Sequence, residues 1–152
     1  MNKKQLIVVL SLFFLISINY LYAEDKHPID KYLESCIDQS DSITAAMVKC
    51  GESACKQWEA ALNRYYSLLM NILDKNDIER LRQSQSAWVK FKDLEFEFIP
   101  YSFKVPGSYA GPAEAELKMN IIKSRALQLQ AYYEQAKEGQ ELYKELKHKE
   151  GP

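Results

Sequence analysis

One run of residues limits what this chain can fold into. From Ile43 onward apolar side chains recur every three or four positions: Met47, Cys50, Ala54, Trp58, Ala61, Tyr65, Leu68 and Ile72. That spacing places them on one face of an α-helix. A second stripe, Cys55, Leu62, Tyr66, Leu69 and Leu73, lies beside the first. A helix apolar over so wide an arc has to be covered by more than one neighbour. Asp41 and Ser42 are good N-cap types just ahead of it. Gly51 interrupts the run at a cost of about 1 kcal/mol relative to alanine, which marks either a kink or a later helix start.

The rest of the chain supplies the neighbours. Pro28 opens a short helical pattern in which Ile29, Leu33 and Cys36 share a side. Proline suits a helix's first turn because its missing N–H has no partner there. Asp74 to Asp77 form a polar break, and a short connection between helices makes an antiparallel hairpin. The next helix carries Leu81, Ser84, Trp88, Phe91, Leu94 and Phe98 as its stripe, and Pro100 is expected to end it. Residues 101–112 read as a loop holding Tyr101, Phe103 and Tyr109 among prolines and glycines. From about Ala113 a last helix follows. Its residues Met119, Ile122, Ala126, Leu129, Tyr133 and Ala136 form a seam of near-heptad period, with Gly139 as a break point. Residues 148–152 read as a disordered tail. Only five Gly and five Pro among 152 residues argue against an all-β fold, which needs many tight turns. The expected fold is all-α: an antiparallel bundle of three longer helices, with a short N-terminal helix clipped on by a disulfide.

The first residues belong to a different kind of segment. Lys3 and Lys4 precede an apolar run from Leu6 to Ile18, and Ala23 offers a small residue for cleavage. This is the pattern of a signal peptide at 1–23, and the run is short for a membrane span. The helical domain then covers 24–147 and is periplasmic or secreted, without a membrane span. Cleavage removes two lysines and no acid, so the formal charge of −1 becomes −3. With no basic surplus, the charge balance argues against nucleic acid as a partner.

An exported chain with three cysteines is expected to hold one disulfide and one leftover thiol. Cys50 and Cys55 lie five apart on one expected helix, too far and on different faces to bridge. The bond is therefore Cys36–Cys50 or Cys36–Cys55. Chemistry beyond this is sparse. His27 and His148 sit near the ends of the mature chain, so neither a catalytic triad nor a zinc site is expected. Asp93 and Glu97 share a helix face and are the one carboxylate pair to weigh for sugar hydrolysis. Lys92 beside them reads better as part of a solvated face. No catalytic residue, cofactor or metal is assigned. The aromatic loop, with Tyr101, Phe103 and Tyr109, is the candidate partner-binding element, because aromatic anchors on loops are common in recognition surfaces.

Several motifs together resemble a known family. Met47 and Cys50 are followed by Trp58, Glu59, Leu62, Asn63 and Tyr66 in WEAALNRYY. Leu81, Ser84, Gln85, Ala87 and Trp88 follow in LRQSQSAW, then Lys92, Asp93 and Glu95. IIKSRALQLQAYYE resembles the family's closing helix. In these residues the chain resembles the lysozyme inhibitor LprI family of secreted bacterial proteins. The resemblance implies a Cys36–Cys50 bridge, with Cys55 as an extra cysteine. Lys92 stands where the family usually has Arg, which removes a bidentate carboxylate pairing at that position. Asn63, Gln85 and Asp93 are polar residues on otherwise apolar helices. They either form a buried network that sets helix register or line a partner surface. The first is preferred, because Gln85 lies close to the stripe that carries Trp88. The resemblance implies a periplasmic or secreted binder whose protein partner is a lysozyme-type enzyme; the expected location is a Gram-negative envelope. The rival functions are an accessory envelope protein binding through the apolar Ser42–Asp74 helix, and a wall hydrolase using Asp93 and Glu97.

Overall fold

A computed structural model describes residues 26–102 and 107–149. The expected signal peptide, Phe103 and residues 150–152 lie outside them. Four helices occur among the described residues: α1 (Pro28–Asp38), α2 (Thr44–Ile72), α3 (Lys75–Ser102) and α4 (Ala110–Lys149). The all-α bundle with a short N-terminal helix is therefore present, and Cys36 and Cys50 are bonded with their Cα atoms 5.7 Å apart.

Local chemistry explains where each helix starts. His27 caps α1, its Nδ1 accepting from the Ile29 N–H at 3.2 Å, with Pro28 in the first turn. Asp41 and Ser42 do not cap α2 as expected. They take left-handed backbone angles, φ 48° and 61°, which short polar residues tolerate. The pair turns the chain between α1 and α2, and Ile43 takes the cap position without a side-chain bond. Asp74 does cap: its Oδ1 accepts from the N–H groups of Asn76 and Asp77 at 2.8 and 2.9 Å. The polar break is thus shorter than expected, and α3 is already under way at Lys75.

The loop expected at 101–112 is also shorter. Helix α3 passes Pro100 and ends at Ser102, whose hydroxyl donates to the Ile99 carbonyl at 2.8 Å. Helix α4 begins at Ala110, so Pro112 falls in its first turn, where an N–H would go unbonded within the helix. Gly139 does not break α4. His148 and Lys149, expected in a disordered tail, are still helical.

The closest pair of helices is not the sequence-adjacent pair. α2 and α4 run parallel, with Gly51 against Ala115, the rings of Tyr65 and Tyr133 6.3 Å apart, and Gln140 donating to the Ile72 carbonyl. Gly51 is neither a kink nor a helix start. A Cβ there would stand 3.0 Å from that of Ala115, so the missing side chain is what lets the two backbones approach. Ala54, Trp58, Leu62 and Leu69 of α2 meet Met119, Ile122, Ala126 and Leu129 of α4 in the core. α1 lies antiparallel to α2, joined by the disulfide and by a Tyr32–Ser53 hydrogen bond of 2.8 Å. Lys123 ties it to α4 through Asp30 at 2.6 Å.

α3 runs antiparallel to both long neighbours and buries only Leu81 and Ile99 fully. Its expected stripe does not point inward throughout: Phe91, Leu94 and Phe98 are 50%, 66% and 59% exposed. The inward line instead runs through Leu81, Gln85, Trp88, Lys92 and Ile99. α2 and α4 already cover each other, and what they leave for α3 is partly polar.

Candidate functional site

That polar remainder is centred on Arg125. It sits on α4 between Ile122 and Ala126, inside the buried arc, and is only 6% exposed. Its Nε donates to Gln85 Oε1 at 3.0 Å and its Nη2 to Ser84 Oγ at 3.1 Å, both on α3. Its Nη1 donates to Gln128 Oε1 one turn along α4. The Trp88 ring centroid lies 5.9 Å from the guanidinium carbon. Burial lowers the guanidinium's pKa from its ordinary value, because desolvation penalises the charged form. These contacts pin α3 to α4.

Beside this anchor an open groove of about 580 Å³ runs between α3 and α4. Phe91, Phe98, Leu117 and Ile121 line it together with Trp88 and Arg125. Leu94 stands exposed on the same helix, and Tyr101 continues the line at 81% exposure. Tyr109, 71% exposed, precedes α4 on the other side of the connection. Tyr101 and Tyr109 are thus displayed to solvent rather than folded back over the bundle.

The residues singled out by motif separate into groups. Trp58 and Leu62 are core, and Tyr66 packs half-buried against it. Trp58 stacks on His27 with ring centroids 4.3 Å apart, under the Lys123 ammonium. Gln85 and Trp88 join the Arg125 cluster. Asn63 and Asp93 do not belong to a buried network with Gln85: both are exposed. Asn63 is at the rim of a small cleft that Gln85 and Trp88 also line. Asp93 pairs with Lys92 at 2.6 Å on the outside of α3. The preferred network is therefore corrected in its membership. Its cation is Arg125, which sequence reasoning passed over although a charge between two seam positions was the signal for it.

Asp93 and Glu97 are both exposed on α3 and line none of the grooves described here. Cys55 is unbonded and half-buried. Burial pushes its thiol pKa up, and Glu59 adds to that. Among the described residues no three His, Cys, Asp or Glu side chains are grouped to hold a metal ion, and no helix is long and apolar enough to cross a membrane.

Among solved structures, an uncharacterised protein from Burkholderia thailandensis superimposes with a TM-score of 0.65 at 21% identity. The match covers 74% of this chain and 57% of that one, a likeness of fold alone. No curated protein matches the chain. The family described as lysozyme inhibitor LprI matches residues 36–129, from the first disulfide cysteine to the last buried leucine of the α4 seam. The chain belongs to the lysozyme inhibitor LprI family.

Proposed function

We propose that this protein is an exported, non-enzymatic binder that docks on a lysozyme-type muramidase and blocks its cleft. The observation that carries the reading is the pair of exposed tyrosines, Tyr101 and Tyr109, flanking the α3–α4 connection. Large aromatics exposed beside a groove are the usual anchors of a protein interface. Phe103 belongs to the same segment. Family membership supports inhibition as the outcome of docking. The mature charge of −3 favours encounter with a basic enzyme.

The test is a cell-wall turbidity assay with residues 24–152 and several lysozyme classes. Dose-dependent inhibition that weakens at least tenfold in a Tyr101→Ala, Tyr109→Ala double variant is expected. Full lysozyme activity at micromolar excess of the protein would remove the reading.

A second reading, an accessory protein that binds another envelope protein through an apolar helix face, draws on a different helix from the one first suspected. The apolar arc of α2 is spent on α4 and α1. The exposed apolar side chains are on α3, where Leu94 and Phe98 stand out. Under this reading Leu94→Glu abolishes capture of the partner while lysozyme is unaffected by either form.

A further inference from the structure

The α3–α4 groove contains a buried cation that pairs with no carboxylate among the described residues. Arg125 is held by Gln85, Ser84 and Gln128, all neutral acceptors. A guanidinium carries five N–H donors, and three hydrogen bonds leave two of them to be satisfied. Desolvation penalises a buried charge that has no counter-charge. That cost falls on a residue that lines an open groove, where an anion entering from outside would offset it.

The remaining lining narrows the kind of anion. From Trp88 the walls continue as Phe91, Phe98, Ile121 and Leu117. Arg125 and Leu117 are eight residues apart on one helix, ~12 Å at 1.5 Å per residue. The volume of about 580 Å³ falls in the range of small-molecule sites and exceeds what one inserted acidic side chain would fill. The groove's carboxylate, Glu95, is ten residues from Gln85 along α3, ~15 Å from the level of Arg125. It disfavours an anionic head at that end and so sets the ligand's direction.

From this charge complementarity and apolar length we infer that the groove binds a small amphipathic carboxylate, a fatty acid of medium chain length. The carboxylate sits on Arg125, and the chain lies along Phe91, Ile121 and Leu117 toward Phe98. The site is independent of the tyrosine pair and of lysozyme inhibition.

The experiment titrates the protein with decanoate and decylammonium below their micellar concentrations and with decanol below its solubility limit. Calorimetry gives the affinity, and tryptophan fluorescence reports Trp88 at the groove. Decanoate is expected to bind saturably at one site, at least tenfold tighter than decanol, with decylammonium weakest. Arg125→Gln reduces decanoate to the affinity of decanol. Because that substitution also loosens α3, Ile121→Trp is the second variant: it fills the groove, leaves the arginine's partners in place, and abolishes binding of both ligands. Equal affinity for decanol and decanoate, absence of saturation, or undiminished decanoate binding by Ile121→Trp overturns the inference. Failure of decanoate to bind at all also overturns it and leaves Arg125 to an acidic group of a macromolecular partner.

Discussion

Replacing Cys36 and Cys50 together by alanine, in a Cys55→Ser background that prevents thiol exchange, removes a constraint whose size follows from chain length. The bond joins residues 14 apart. Closing a loop of that length removes about 10 cal/mol/K of unfolded-chain entropy, or about 3 kcal/mol at 25 °C. The folded state has other means of holding α1: the Asp30–Lys123 ion pair, the Tyr32–Ser53 hydrogen bond and the stacking of His27 on Trp58. The helix is therefore expected to stay docked, and the loss to arise in the unfolded ensemble. Against a typical domain stability of about 5–15 kcal/mol, the variant still folds. With a slope of about 2 kcal/mol/M in urea, its unfolding midpoint drops by about 1.5 M. Urea titration followed by circular dichroism measures this directly. A loss below about 0.5 kcal/mol, the scale of an unremarkable surface substitution, would refute the entropic argument. A separate early transition would show instead that α1 depends on the bond to remain docked.

Further expectations follow from the packing. Gly51→Leu forces α2 away from Ala115, where even a Cβ would approach to 3.0 Å. A loss of about 1–3 kcal/mol or more is expected in thermal melts, and an unchanged melting temperature would contradict the close approach. Leu129→Ala, at a fully buried position, is expected to lose about 2–5 kcal/mol. Leu142→Ala, on the exposed end of α4, stays within about 0.5 kcal/mol; similar losses at both sites would rule out the assigned core. At pH 8 Cys55 is expected to react with iodoacetamide more slowly than in the urea-unfolded chain. Burial and the Glu59 charge raise its pKa and so reduce the thiolate fraction. The rate climbs as pH rises toward that raised pKa, and Glu59→Gln accelerates it at fixed pH. Equal rates in folded and unfolded protein would contradict the half-buried placement.

The legible part of this protein was its regular part. The α2 stripes and the α4 seam have helical period because each helix must bury a continuous face, and that requirement is written residue by residue along one element. The cysteine arithmetic limits the disulfide to two pairings, and the family motifs favour the one present. Element ends were less legible. Asp41 and Ser42 have the composition of a cap and the backbone of a turn. Pro112 lies in the first turn of α4, where a missing donor loses no bond, whereas Pro100 lies in the last turn of α3, where it removes one backbone hydrogen bond and the helix ends two residues later.

The chain by itself determined that it would be helical, how many long helices it would have and which residues would seek cover, since these follow from period and composition. Only the tertiary structure decided which helices would touch. Gly51 became a contact point because Ala115, 64 positions later, lies against it. Once α2 and α4 had satisfied each other, α3 was left to meet Arg125 with Ser84, Gln85 and Trp88. Its Phe91, Leu94 and Phe98 were turned toward groove and solvent. Local periodicity cannot show this, because whether an apolar face is buried depends on whether a partner has already been covered by someone else.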